Sequence, residues 1–206
     1  MKKCVENGAD EVIFFVNSPI ERLTKNGLAH NKKHQLFHEN ISKKNYNEFA
    51  KYCLDVTEHF VNEGIPIKYL SPVNEPVWVW TGGQEGCHYT DEEAIELLET
   101  FALEMQKRNS PYKLNGPESG EMSWAYFEYT EKFLKSDILR EFCDTFSGHS
   151  YWMDTKSEEK KQIGDELKAE GGLSVLGEDF LKLMITELTN QDMNNTADTS
   201  QMVNQM

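Results

Sequence analysis

Short apolar runs rich in β-forming residues alternate with longer segments of helical period along most of this chain. The predicted strands lie in residues 11–17, 67–74, 112–118, 142–152 and 180–188. The predicted helical segments lie in residues 45–64, 90–105, 124–134 and 156–170. Thr90 and Glu93 have the spacing of a capping box at the start of the second helix. This alternation predicts βαβ units and a parallel sheet.

The spacing of the strands narrows the fold class further. Successive strand ends are separated by roughly 30 to 60 residues, which is the range that a (β/α)8 barrel with loop insertions requires. A doubly wound sheet would show the same alternation, but no GxGxxG motif follows any predicted strand. The pattern therefore predicts an α/β fold, either a TIM (β/α)8 barrel or an unrelated doubly wound sheet, and periodicity alone does not decide between the two.

Polar side chains follow each predicted strand, at the point where the strand ends. They are Asn17, Asn74 with Glu75, Glu118, His149 with Tyr151, and Glu187. The carboxyl ends of barrel strands share one rim, where active sites are built. We expect Pro76 to end the second strand and turn the chain outward, so that Glu75 is held over a shared pocket.

Two of these carboxylates, Glu75 and Glu187, are 112 residues apart and would face each other across a barrel mouth. Paired carboxylates suit glycoside hydrolysis, in which a protonated one assists the leaving oxygen and an ionised one attacks carbon or activates water. The charge on one raises the pKa of the other and so separates their roles. A separation of about 5–5.5 Å indicates retention of configuration, and about 6.5–9.5 Å indicates inversion.

The charge and hydropathy of the chain exclude several classes of partner. The formal net charge is −14, which repels phosphate backbones and anionic membranes. No run of about 18 apolar residues is present to span a membrane. The apolar stretch over residues 12–16 is too short for a signal peptide. We predict neither nucleic-acid nor membrane binding.

The cysteines and histidines are the residues most suited to bind a transition metal. The four cysteines show no CxxC motif; Cys53 and Cys143 are predicted buried thiols, and Cys87 is either free or paired. On a helix, the histidines of HNKKHQLFH would form a metal-binding stripe made of His30, His34 and His38. Lys and Asn residues surround them without an acidic side chain to orient them, so we favour a solvated loop and predict no metal and no cofactor.

Six motifs occur in the order found in glycoside hydrolase family 30. They are NSPIERLTKNG (17–27), SPVNEP (71–76), QEGCHYTDEE (84–93), GPESGE (116–121), SGHSYW (147–152) and ITE (185–187). From about residue 10 to 190 the chain resembles the endo-β-1,6-galactanase-like members of this family. The resemblance implies a retaining (β/α)8-barrel O-glycosyl hydrolase that cleaves a β-linked polysaccharide, with β-1,6-galactan as the substrate that QEGCHY suggests.

The resemblance also implies roles for individual residues. Glu75 matches the general acid/base on strand 4, and Glu187 matches the nucleophile on strand 7. Asn74 would bind the 2-hydroxyl of the sugar, and His149 and Tyr151 would lie beside the nucleophile and orient it.

The remaining candidates would form the wall of the pocket. Trp78, Trp80 and Trp152 offer flat faces for sugar stacking, although the alternation of the first two predicts that at least one packs inward. Asn17 is a further candidate for substrate binding. Glu118 would either line the pocket or bond the glycine-rich turn.

Matching the strands to the family makes residues 11–17 strand 3 and residues 180–188 strand 7. We therefore expect a partial barrel of about strands 3 to 7, from a longer enzyme that is secreted or extracytoplasmic. Residues 1–190 would be an incomplete (β/α)8 catalytic domain and residues 191–206 a frayed polar tail. The alternative is a catalytically incomplete carbohydrate-binding remnant of such an enzyme.

Overall fold

Four parallel strands and the helices between them organise the part of the chain that the structure describes. A computed structural model describes residues 1–120, 129, 132–145 and 147–149. The strands are β1 (Val12–Phe15), β2 (Ile67–Ser71), β3 (Lys113–Asn115) and β4 (Cys143–Thr145). The helices are α1 (Lys2–Glu6), α2 (Tyr46–Asn62), α3 (Asp91–Arg108) and α4 (Asp137–Phe142). The sheet order is β1-β2-β3-β4, and every neighbouring pair is parallel.

The connections show why the sheet is parallel. Helix α2 links β1 to β2, and α3 links β2 to β3, so each returns the chain to the same end of the sheet. The two helices pack together, with the rings of Phe49 and Phe101 edge to face at 5.5 Å and both fully buried. The predicted mixed α/β fold with a small parallel sheet is confirmed.

Helix α3 begins where the capping-box spacing predicts. The Thr90 side chain accepts a hydrogen bond from the backbone N–H of Glu93, and the Glu93 carboxylate accepts one from the N–H of Thr90. Both bonds satisfy N–H groups that a helix start leaves unpaired. Helix α2 is followed by Gly64, whose φ of 83° is the left-handed conformation expected there.

The strands end earlier than predicted. We expected β2 to run to Asn74 and to stop at Pro76, but it ends at Ser71. The physical reason is Pro72, which has no N–H to donate to the ladder. The polar residues therefore lie in the loops beyond the strand ends rather than on the strands. The short helix α4 before β4 was not predicted.

The cysteine and histidine interpretations can be compared with the described residues. Cys53 and Cys143 are buried thiols, as predicted, and Cys87 is a buried free thiol. The segment from His30 to His38 is a loop of bends and turns rather than a helix. The predicted elements over 156–170 and 180–188 and the tail over 191–206 lie outside the described residues.

Two findings concern the surface of the described part. Strand β1 lies at an edge of the four-stranded sheet, and its Ile13 and Phe15 side chains are exposed. In the described ranges, no helix is both long and apolar enough to cross a lipid bilayer.

Candidate active site

The loop after β2 holds Glu75 in an uncommon backbone conformation, with φ at 42°. Its N–H donates to the carbonyl oxygen of Glu118 at 2.9 Å. Its own carbonyl oxygen accepts from the N–H of Trp78 at 3.0 Å and from the indole nitrogen of Trp80 at 3.2 Å. The backbone that carries this carboxylate is therefore fixed by three hydrogen bonds.

His149 lies between two carboxylates. Its Nδ1 is 2.6 Å from Oε1 of Glu75, and its Nε2 is 3.3 Å from Oε2 of Glu118. The hydrogen bond with Glu118, followed by that with Glu75, raises the pKa of His149 to about 9 against the opposing effect of burial. At neutral pH His149 is therefore an imidazolium that donates to both carboxylates.

Glu118 is anchored by the ends of three strands. It is only 9% exposed, and its Oε1 accepts from the Ser71 hydroxyl and, at 3.0 Å, from Nδ2 of Asn115. The Oδ1 of Asn115 accepts in turn from the Thr145 hydroxyl at 2.8 Å. These three residues are the last of β2, β3 and β4, so the sheet itself sets the position of the carboxylate.

Asn74 and Asn17 join the loops that follow β2 and β1. Nδ2 of Asn74 donates to Oδ1 of Asn17 at 3.2 Å. Asn74 is buried, and among the described residues no donor reaches its Oδ1. Since buried polar atoms are usually paired, this oxygen is suited to accept a hydrogen bond from a hydroxyl group of a ligand.

The two tryptophans after Glu75 differ in exposure. Trp80 is 3% exposed, and its ring lies on the backbone of Gly86, where a Cβ would overlap it. Trp78 is 50% exposed. Trp80 is thus the inward-packed residue of the pair, and Trp78 has a face available for a ligand.

A second exposed aromatic side chain, Phe37, lies near Trp78 and is linked to it through His88. Nδ1 of His88 is 3.1 Å from the carbonyl oxygen of Trp78, and the His88 ring meets the Phe37 ring edge to face at 5.7 Å. Burial lowers the pKa of His88, which favours the neutral imidazole. Phe37 is 66% exposed. Phe37 was not among the predicted site residues, because a lone aromatic residue in a polar loop carries no periodic signal.

The structure brings five of the predicted site residues into one connected cluster: Asn17, Asn74, Glu75, Glu118 and His149. Three others, Tyr151, Trp152 and Glu187, lie outside the described residues. The Glu118 carboxylate contacts His149 as well as Ser71 and Asn115. In the described ranges, no group of three or more His, Cys, Asp and Glu side chains is placed to hold a metal ion.

The sequence of this chain matches a known protein family over most of its length. Residues 1–164 of the 206 match the pattern of O-glycosyl hydrolase family 30. This chain belongs to O-glycosyl hydrolase family 30. The family expected from the six motifs is thereby confirmed, and family 30 members are glycoside hydrolases.

Several solved structures share the fold of this chain. A conserved exported protein from Bacteroides fragilis has a TM-score of 0.72 at 20% identity over 87% of this chain and 39% of its own. The catalytic domain of GH30 xylanase C from Talaromyces cellulolyticus gives 0.58 at 15% identity, over 73% and 35%. An endo-β-1,6-glucanase gives 0.51 at 18% identity, over 64% and 28%. This chain therefore spans 39% or less of the length of each of these proteins.

The pattern of the N-terminal region of the flagellar hook capping protein matches residues 153–206, which lie outside the described part of the chain. That match is too short to show a second family. No curated protein sequence matches this chain.

Proposed function

We propose that this chain carries the acid/base side of the active site of a retaining O-glycosyl hydrolase, with Glu75 as the general acid/base. The observation that carries the proposal is the position of Glu75. Its carboxylate follows a parallel strand, directly after Asn74, in a chain that belongs to a glycosidase family. It is 14% exposed, so it is shielded from bulk water yet reachable by a substrate.

The reaction proceeds in two displacements, with Glu187 as the nucleophile. In the first, Glu187 attacks the anomeric carbon, the bond to the leaving oxygen breaks, and the proton of Glu75 moves to that oxygen. In the second, Glu75 takes a proton from water, the resulting hydroxide bonds to the anomeric carbon, and the ester bond to Glu187 breaks. Glu75 is then protonated again and the cycle closes.

The fold in this proposal is a partial (β/α)8 barrel. Strands β1 to β4 are assigned as strands 3 to 6, and residues 180–188 as strand 7. Residues 1–190 form the catalytic part and residues 191–206 a polar tail. This arrangement requires the carboxyl groups of Glu75 and Glu187 to be about 5–5.5 Å apart.

Neighbouring side chains bind the sugar. Asn74, held by Asn17, contacts the 2-hydroxyl through the oxygen that has no donor among the described residues. Trp78 stacks on a sugar face through its exposed ring. Tyr151 and Trp152 complete the pocket on the side of the nucleophile.

The substrate in this proposal is a β-linked polysaccharide, with β-1,6-galactan as the first candidate. The motif QEGCHY motivates that candidate. The neighbours named as a xylanase and an endo-β-1,6-glucanase make xylan and β-1,6-glucan the comparisons to test. We propose that the enzyme acts outside the cytoplasm, as the exported Bacteroides fragilis neighbour suggests.

The test uses the full-length protein with β-1,6-galactan, β-1,6-glucan and xylan. Glu75→Gln keeps the shape but removes the proton, and should lower kcat by about 10²–10⁴-fold on the substrate that is cleaved. Glu187→Gln should lower kcat at least as much. Glu11→Gln, at an exposed carboxylate paired with Lys68, is the matched control and should leave turnover unchanged.

The stereochemistry of the first product distinguishes the mechanisms. Proton NMR during hydrolysis should show the β-anomer first, before mutarotation. An α-anomer as first product, or unchanged turnover by Glu75→Gln on every glycan cleaved, would overturn the assignment.

A further inference from the structure

His149 connects two carboxylates that come from different strand ends, and only Glu75 has a role in the proposed reaction. We infer that Glu118 is a positioning residue, which acts through His149 to fix the oxygen of Glu75 that exchanges the proton and the pH range in which it does so. The inference rests on the proposed role of Glu75 as the acid/base.

Glu118 can face His149 in only one way. Its Oε1 is occupied by two donors, the hydroxyl of Ser71 and the amide of Asn115. Its Oε2 is therefore the oxygen left for Nε2 of His149, at 3.3 Å. Because a carboxylate oxygen accepts, Nε2 of the imidazolium carries a hydrogen and donates it to Oε2.

Glu75 lies on the other side of the imidazole ring. With Nε2–H directed to Glu118, the ring orientation is set, and Nδ1 faces Oε1 of Glu75 at 2.6 Å. The imidazolium donates its Nδ1–H to that oxygen. The second oxygen of Glu75, Oε2, is then the one available to the glycosidic oxygen or to water.

The proton balance of the reaction is kept within this arrangement. One proton leaves Oε2 of Glu75 for the leaving oxygen, and one proton returns to Oε2 from water. Both hydrogens of the His149 ring stay in place during the cycle. The Nδ1–H stabilises the carboxylate that forms in the first displacement, and the charge of Glu118 offsets the imidazolium so that Glu75 can be protonated again.

The charged groups that the described strand ends bring against His149 are Glu75, after β2, and Glu118, after β3. Glu118 contributes most to the raised pKa of His149. A negative charge at residue 118 favours the imidazolium form of His149, whose Nδ1–H holds Oε1 of Glu75. Removal of that charge should move the protonation of His149 to lower pH, and with it the pH above which Glu75 is no longer held.

The test compares Glu118→Gln with Glu118→Asp in the full-length protein. The ring of His149 is followed by NMR as the pH changes, with its signals assigned by their loss in His149→Gln. In the unaltered protein we expect His149 to titrate well above its ordinary pKa of about 6.5. In Glu118→Gln its titration should move at least tenfold in proton concentration towards lower pH, and in Glu118→Asp, which keeps the charge, it should move much less.

Kinetics provide the second measurement. The basic limb of kcat/KM should shift to lower pH in Glu118→Gln and not in the matched control Glu63→Gln, which removes the exposed carboxylate partner of His59. A merely structural role of Glu118 would instead lower kcat/KM equally at all pH values. That result, or an unaltered protein whose His149 titrates near 6.5, would overturn the inference.

The NMR titration needs no substrate, so it separates the two proposals. A raised and Glu118-dependent titration of His149 in a protein that cleaves no glycan would support the link between the three residues and reject the proposed hydrolase. Hydrolysis that depends on Glu75, with a His149 titration independent of Glu118, would support the proposed hydrolase and reject the positioning role of Glu118.

Discussion

Gly120 lies directly against the side chain of Glu75. A Cβ atom at residue 120 would be 3.2 Å from Cγ of Glu75 and 3.4 Å from its carboxyl carbon. Contacts this close require one side to move by a few tenths of an ångström. Because Gly120 has no side chain, the Glu75 carboxylate can lie in its present position.

Gly120→Ala tests this relationship. The added methyl group should push Glu75 away from His149 and lower kcat by about 10- to 100-fold, because small misplacements of a catalytic group have large effects on rate. The free energy of unfolding should change by less than about 1 kcal/mol. Gly82→Ala is the matched control, since nothing lies within 4 Å of its Cβ position. Equal kcat in both variants would contradict the argument.

The pH dependence of stability follows from the raised pKa of His149. The pKa is about 9 in the folded protein and about 6.5 in an unfolded chain. The stabilisation is therefore fully present below about pH 6.5 and is lost as the pH rises through about 9. It is on the order of 2–3 kcal/mol.

Urea unfolding of the unaltered protein and of His149→Gln, at pH 6 and pH 10, measures this contribution. The difference in free energy of unfolding between the two proteins should be larger at pH 6 by the stated amount. The comparison cancels the titration of groups that both proteins share. A difference that is the same at both pH values would rule out a folded-state imidazolium.

Trp78 should contribute to binding rather than to stability, because half of its surface is exposed. Trp78→Ala in the Glu75→Gln background should weaken the binding of the cleaved polysaccharide by about tenfold, as expected for the loss of one stacked ring. Isothermal titration calorimetry measures the dissociation constant. Tyr52→Ala removes another exposed ring, on α2, and should leave it unchanged. Equal effects from both substitutions would show that Trp78 does not contact the sugar.

The capping box lies where the loop that carries the site ends and α3 begins. Thr90→Ala leaves the N–H of Glu93 without its acceptor and should lower the free energy of unfolding by about 0.5–2 kcal/mol. Thr100→Ala, at a half-buried position within the same helix, is the matched control and should change the free energy of unfolding by less than about 0.5 kcal/mol. Thermal and urea denaturation monitored by circular dichroism measure both. If Thr100→Ala lowered the free energy of unfolding as much as Thr90→Ala, the capping box would have no specific effect on stability.

Several of these features could be predicted from the sequence because their causes are local. The capping box needs only Thr90 and Glu93 at the right spacing. The parallel sheet follows from the alternation of strands and helices. Glu75 was identified from its place after a strand and beside Asn74, a pattern that the residue order alone contains.

Other features could not be predicted because they depend on strand register. Asn115 pairs with Thr145 across β3 and β4, and the register of β2 with β3 places Ser71 beside Asn115. This register is what surrounds Glu118 with hydroxyl and amide groups. Small polar residues at strand ends look alike in a sequence, so their convergence on one carboxylate carries no sequence signal. The predicted position of His149 beside Glu187 stays a prediction, since residue 187 is outside the described part.

The backbone is left-handed at Glu75 and Glu118, with φ values of 42° and 48°, and this limits how the protein can be stabilised by substitution. Non-glycine residues in this conformation destabilise a fold by about 1 kcal/mol or more each, and glycine or asparagine relieves the strain. Each carboxylate also holds His149, so either substitution would lose a charged hydrogen bond that contributes at least as much stability as the relieved strain. Engineering for heat resistance should therefore leave both left-handed turns unchanged and begin elsewhere in the fold.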